Sequence, residues 1–253
     1  MEIIRVICHP ALLLVALAAA AQQPANQLPN DRTNRTKVVL LGTGTPVPDP
    51  DRSGPATAIV VDDSAYLVDF GPGVVRRAKA AVLDRHITAL EPANIKVAFA
   101  THLHSDHTAG YSDLILTGWT AGRRTPLEVF GPTGLQSMTE HILQAHRIDI
   151  ETRISPDGDQ RGNSEGWKVN AHEIKSGVIY KDAKLAVTAF PTKHAMESYG
   201  YLCFANNPSG FISCRHAFIT MMKSANFFDC YDRAIFHNLT LDGALFAERQ
   251  MGA

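Results

Sequence analysis

The segment THLHSDHTAG, residues 101–110, places three histidines and an aspartate within six positions. It follows IKVAFA, an apolar run typical of a β-strand. His102 and His104 alternate, so both side chains point the same way on an extended backbone, whereas Asp106 and His107 come after the chain turns. One divalent metal ion can bind His102 and His104, and a second can bind Asp106 and His107. Imidazole and carboxylate suit zinc, and iron or manganese is also compatible with them.

Two metal ions about 3.5–4 Å apart can share a bridging hydroxide. A bound metal lowers the pKa of water towards about 7, so this hydroxide would be a nucleophile at neutral pH. A single histidine would more readily be interpreted as a residue that caps a turn. The whole cluster, placed directly after a strand, instead predicts a hydrolytic centre with one or two Zn²⁺ ions.

The composition is that of a folded globular protein, with 45% hydrophobic and 19% charged residues in a chain of 253. The net charge of −1 gives no overall basic character of the kind that nucleic-acid binding favours. A local basic patch is still compatible with this total. Strand-like runs stand before and between helical ones without a strict alternation. This order predicts an α+β fold in which helices cover sheets, in an αββα layering.

The N-terminal region is a separate segment. Residues 1–21 combine Arg5, an apolar run and small residues before Gln22, which is the pattern of a cleaved signal peptide. An uncleaved anchor is the alternative, but the run is short for a membrane span of roughly 20 residues. We therefore expect a secreted or periplasmic protein with no stable membrane span. Residues 22–36 would be a linker and residues 37–253 a hydrolase domain, of which 205–253 are atypical.

Several motifs resemble those of one family, and together they cover residues 37–204. THLHSDHTAG resembles the signature of the metallo-β-lactamase superfamily. VVLLGTGTPVPDPDRSGPA, YLVDFGPGVVRRA and FPTKHAMESYGYLCF resemble motifs of its ribonuclease Z and arylsulfatase-like branch, in the family's order. The resemblance implies an αββα metallo-β-lactamase-type sandwich, a dinuclear metal centre, and hydrolysis of phosphodiesters, sulfate esters or related substrates.

The resemblance also assigns roles to residues. It makes His102, His104 and His194 ligands of one metal, and Asp106 and His107 ligands of the other.

Further residues are assigned beside these ligands. Asp69 is expected to orient a ligand histidine through a hydrogen bond, with an ordinary turn aspartate as the alternative. Asp106 is also predicted to be catalytic, together with His237, whose FHNLT segment is a faint echo of a family motif. Gly42, Gly44, Gly71 and Gly73 would allow tight loops near the site, or be plain turn residues.

The C-terminal part departs from the family. Where the family has a metal-bridging aspartate in Ser-Gly-Asp-Thr, this chain has SCRH, and Arg215 takes the place of the aspartate. Arginine is cationic and cannot bind a metal. Cys214, His216, Asp229 or Asp232 could replace the aspartate. A reading-frame shift would also explain the changed composition, so we expect the sandwich to be incomplete at its C-terminal end.

The leading hypothesis is an exported metal-dependent hydrolase that uses a metal-bound hydroxide on a phosphodiester, sulfate ester or related ester. One alternative is a lactamase-type amidase that uses Cys214. Another is a degenerate, inactive homologue with one residual metal site. We expect a small-molecule or ester substrate rather than nucleic acid, because export separates the protein from transfer RNA. The sequence leaves open whether the protein forms a homodimer.

Overall fold

The computed structural model describes residues 36–205. The predicted signal peptide and nearly all of the predicted linker lie outside the described residues, and so does the tail after Ala205. Thr36, which we assigned to the linker, is the first residue of the first strand.

A mixed six-stranded sheet forms the centre of the described fold, and its strands lie in chain order. The strands are β1 (Thr36–Gly42), β2 (Ala56–Val61), β3 (Ser64–Val68), β4 (Val97–Phe99), β5 (Leu127–Gly131) and β6 (Val169–Glu173). The pairs β1–β2 and β2–β3 are antiparallel, and every pair from β3 to β6 is parallel. Parallel strands need crossover connections, and from β3 to β6 helices supply them. This regular alternation was not expected from the sequence.

The helices are α1 (Val74–Arg85), α2 (Ser105–Thr108), α3 (Tyr111–Thr120), α4 (Leu135–Ala145) and α5 (Arg147–Ile154). Two 3₁₀ turns, Thr88–Leu90 and Pro92–Asn94, precede β4. The pattern of residues 133–148 predicts one helix, but His146 leaves the helical conformation and separates α4 from α5. Apolar side chains of α1, α3 and α4 pack on one face of the central sheet and form the first hydrophobic core.

A second, antiparallel sheet consists of β7 (Gly177–Lys181), β8 (Leu185–Pro191) and β9 (Tyr199–Ala205). Alternate residues of β8 and β9, such as Val187 and Tyr201, are buried in a second core shared with the central sheet. Strand β2 is buried throughout because Ala58 and Val60 face the helices whereas Ile59 and Val61 face the second sheet. Helix, sheet and sheet therefore form successive layers, and the predicted α+β class is confirmed.

No helix within residues 36–205 combines the length and the apolar character that crossing a membrane requires.

The strand order brings three chain segments to one edge of the sandwich. Strands β3 and β4 end side by side, with Val68 paired to Phe99, so Asp69 and the segment after β4 emerge together. The second sheet joins this edge where Tyr199 N donates a hydrogen bond to Thr101 O, at 2.9 Å. The histidine cluster and the connection between β8 and β9 therefore lie next to each other.

Candidate metal centre

His102 and His104 lie on the segment that leaves β4. The backbone is still extended at His104, with φ −64° and ψ 147°, before α2 begins at Ser105. The two imidazoles consequently lie on one side of the chain, as the sequence predicts, and His102 Nε2 is 3.0 Å from His104 Nδ1.

His194 reaches the same place from the connection between β8 and β9. Its ring centroid lies 4.5 Å from that of His102 and 4.8 Å from that of His104. One nitrogen from each of the three rings lies within 4.8 Å of the others, which makes the trio a candidate metal-binding group. The structure thus brings together the three residues that the resemblance assigns to the first metal.

Asp106 and His107, both buried, lie in α2 directly beside this trio. His107 Nε2 is 3.4 Å from Asp106 Oδ2, and the His107 ring centroid is 4.2 Å from that of His102. His107 Nε2 is buried and makes no hydrogen bond. The pair predicted for the second metal therefore lies next to the first group. Its His107 Nε2 makes no hydrogen bond and could bind a metal ion.

The Asp69 carboxylate is hydrogen-bonded to residues of this cluster and is only 1% exposed. Its Oδ2 accepts a 2.6 Å hydrogen bond from His107 Nδ1, and its Oδ1 accepts one of 2.8 Å from Thr101 N. A proton on Nδ1 leaves Nε2 of His107 with a lone pair for a metal. The orienting role predicted for Asp69 matches this geometry, in which Asp69 adopts a left-handed backbone with φ 61°.

Thr101 is a contributor that the sequence reasoning missed. Its hydroxyl lies 2.9 Å from both carboxylate oxygens of Asp69 and 3.0 Å from His102 Nδ1. Because the hydroxyl proton is donated to the carboxylate, the oxygen accepts from Nδ1–H of His102, which leaves Nε2 for a metal. The available signal in the sequence was its position directly before His102.

These residues fit a zinc site. Zinc–nitrogen bonds of about 2.0–2.1 Å put neighbouring ligand atoms of a tetrahedral site roughly 3.4 Å apart. Two observed distances are close to this value: His102 Nε2 is 3.0 Å from His104 Nδ1, and His107 Nε2 is 3.4 Å from Asp106 Oδ2. The donor set of imidazoles with one carboxylate is also the set that zinc prefers.

Backbone contacts fix α2 against the loop after β3. Phe70 N donates to His107 O at 2.9 Å, and Gly110 N donates to Phe70 O at 3.0 Å. A Cβ on Gly71 would lie 2.4 Å from Asp106 O, so only glycine fits without displacing the helix. Gly71 thus lies at the predicted site.

The other predicted glycines take up different positions. Gly73 precedes α1 with φ 88°, whereas Gly42 and Gly44 pack against the backbone of residues 53–54.

The remaining predicted residues are His237, Cys214, Arg215, His216, Asp229 and Asp232. All of them lie outside the described residues, and their roles stay predictions.

Comparison with known proteins gives consistent matches. Residues 49–173 match the family model of the metallo-beta-lactamase superfamily. Ribonuclease Z of Mycobacterium marinum is 35% identical over 161 residues, which is 62% of this chain and 54% of that protein. Ribonuclease Z of Mycobacterium sp. (strain KMS) is 37% identical, over 62% of this chain and 53% of that protein. The chain spans about half the length of these curated relatives.

A solved structure supports the fold. The crystal structure of human tRNase Z, short form, superposes with a TM-score of 0.50 and 22% sequence identity, over 69% of this chain and 70% of that one. The layered sheets, the His-x-His-x-Asp-His segment and these matches agree. Residues 49–173 of this chain are therefore similar to the metallo-beta-lactamase superfamily, and the described residues share the fold of the matched structure.

Proposed function

We propose that this chain is a metal-dependent hydrolase that cleaves phosphodiester bonds. The observation that carries the proposal is the convergence of His102, His104 and His194, whose ligand atoms lie within 4.8 Å of one another. The curated relatives are named ribonuclease Z, which favours a phosphodiester over a sulfate ester.

The described side chains divide the work. His102, His104 and His194 would bind one ion, and Asp106 and His107 would bind a second. A divalent ion bound there lowers the pKa of water and stabilises negative charge that develops on a substrate oxygen. Asp106 also offers a buried carboxylate oxygen that can hold a proton.

The choice of substrate is open within the phosphodiester class. The sequence argued against nucleic acid, through the net charge of −1 and the predicted export. The curated relatives are named ribonuclease Z, and this name favours RNA as a candidate substrate. We therefore propose that the substrate is a phosphodiester, either a small molecule or an RNA, and the experiment compares these two classes.

The test measures hydrolysis by the full chain after loading with Zn²⁺. The substrates are bis-p-nitrophenyl phosphate, a transfer RNA precursor, and p-nitrophenyl sulfate as the competing ester. His104→Ala should lower kcat/KM at least about 100-fold, because it removes a metal ligand. His141→Ala is the matched control, since His141 is exposed on α4 and, among residues 36–205, is hydrogen-bonded to Ser137 of its own helix turn alone. It should stay within about twofold of wild type.

Each outcome decides between hypotheses. Activity that survives His104→Ala would overturn the site assignment. Elemental analysis that finds one ion or none, together with no turnover of any substrate, would favour the degenerate homologue. Nitrocefin turnover that is lost in Cys214→Ser would favour the lactamase-type amidase.

Export is a separate proposal, supported by the pattern of residues 1–21. Expression of the full chain in a bacterium with an intact secretion pathway, followed by N-terminal sequencing, tests it. A mature chain that begins near Gln22 is expected, and an unprocessed cytoplasmic chain would contradict it.

A further inference from the structure

The connection that carries His194 is closed at its base but exposed at its tip. Thr192 N donates to Ser198 O at 3.0 Å, and the hydroxyls of these two residues are 2.7 Å apart. Between them, Lys193, Ala195 and Met196 are exposed and His194 is half-buried. The contacts between this connection and the neighbouring segments therefore bear on the position of His194.

Glu197 provides such a contact. Its Oε2 accepts a hydrogen bond of 3.1 Å from Thr133 N, and its Oε1 accepts one of 2.7 Å from the Tyr199 hydroxyl. Hydrogen bonds from Tyr199 and Thr133 lower the pKa of Glu197 below its ordinary value. The carboxylate is therefore charged at neutral pH and joins the His194 connection to the loop between β5 and α4.

The same loop lies next to the segment that carries His102 and His104. Gly134 has φ 99°, and a Cβ on it would lie 3.2 Å from Leu103 Cδ1. Leu103 stands between His102 and His104 in the chain. The loop at Thr133 and Gly134 thus touches both ligand-bearing segments, one through Leu103 and the other through Glu197.

We propose that Glu197 is a positioning residue that holds His194 opposite His102 and His104 by fixing its connection to the β5–α4 loop. This inference rests on the metal site of the proposed function. Residues behind metal ligands typically change metal affinity about 10–100-fold, because a preorganised ligand has less freedom to lose on binding. A carboxylate suits the position, since its two oxygens accept from Thr133 and Tyr199 at the same time.

The experiment compares metal binding rather than activity. Metal-free full-length protein is titrated with Zn²⁺ against a chromophoric chelator, and the visible spectrum is recorded after loading with Co²⁺. Glu197→Ala should raise the Kd for Zn²⁺ about 10-fold or more and alter the Co²⁺ spectrum. Glu197→Gln keeps an acceptor oxygen but loses the charge, and it should raise the Kd about threefold or more.

Glu173→Ala is the matched control. Glu173 accepts a 2.7 Å hydrogen bond from Gly134 N and so holds the same loop from β6, and it has no such bond to residues 192–198. Its loss should reduce the stability of the metal-free protein in urea, while the Kd for Zn²⁺ stays within about twofold of wild type.

The outcomes separate this inference from the proposed function. If both Glu197 variants keep the wild-type Kd and Co²⁺ spectrum, or if Glu173→Ala weakens binding as much as Glu197→Ala, the inference is overturned and the metal site stands. If Glu197→Ala fails to fold, Glu197→Gln decides by the same criterion. If the wild-type chain binds no Zn²⁺, the proposed function and this inference fail together.

Discussion

Asp69 Oδ2 accepts a 2.6 Å hydrogen bond from His107 Nδ1, and both side chains are buried. The other oxygen, Oδ1, accepts from the backbone and hydroxyl of Thr101, whose hydroxyl also contacts His102 Nδ1. One carboxylate therefore fixes a histidine of each predicted metal position. Neither histidine can rotate without breaking a buried hydrogen bond, which is costly when no water replaces the partner.

Asp69→Asn should weaken the second metal position about 10–100-fold. An amide has one oxygen, so its NH₂ would face either Thr101 N–H or His107 Nδ1–H. In the second case His107 must carry its proton on Nε2, which removes the lone pair that a metal needs. Zinc titration of the variant should give one tight site where the wild type gives two. Wild-type stoichiometry and Kd in Asp69→Asn would show that the histidine is oriented by other contacts.

Thr101→Val should weaken binding by His102, because valine keeps the shape of threonine but lacks the hydroxyl between Asp69 and His102. We expect the Kd of the first Zn²⁺ to rise about 10-fold, and Thr101→Ser to restore it to within about threefold. The measurement is chelator competition on both variants. Equal affinities for Val and Ser at this position would contradict a role for the hydroxyl.

Gly71→Ala should destabilise the fold, because the new Cβ would lie 2.4 Å from the Asp106 carbonyl oxygen. Overpacking of this kind costs about 1–3 kcal/mol, which urea unfolding of the metal-free protein can measure. Gly162→Ala is the control, since a Cβ there meets nothing within 4 Å. It should change the free energy of unfolding by no more than about 0.5 kcal/mol. Similar midpoints for the two variants would argue against tight packing at Gly71.

Asp182 should give the metal-free protein a pH-dependent stability. Burial favours its neutral form, but hydrogen bonds from the Tyr66 hydroxyl, the Leu185 and Lys184 amides and the Tyr180 hydroxyl outweigh burial and lower its pKa below 3.8. A carboxyl with a lowered folded pKa stabilises the fold above its unfolded pKa, and this contribution is lost as the pH falls through the folded value.

The measurement for Asp182 is urea unfolding of wild type and Asp182→Asn at several pH values. The variant should be less stable near pH 7. The difference should shrink once the pH falls below the ordinary aspartate pKa of 3.8. A difference that is independent of pH would exclude a charged role for this carboxylate.

Much of the fold could be predicted from local pattern. Short apolar runs with β-branched or aromatic residues mark the strands from β1 to β9, and the apolar spacing of Val74, Ala78 and Val82 marks α1. The break at His146 was missed, because the apolar spacing continues across it and gives no sign of the change in backbone conformation. The parallel order of β3 to β6 was also missed, since strand direction depends on how distant segments pair.

The sequence by itself predicted which side chains could bind a metal, and it determined their local geometry. His102 and His104 face one way because the period of an extended chain is two residues, and Asp106 and His107 follow because α2 begins there. The resemblance to a known family extended this to His194 and Asp69. Only the tertiary structure decided that Thr101 and Glu197 support the histidines. Their contacts run between separate strands and loops, and such long-range pairing follows from the order of the sheets rather than from spacing along the chain.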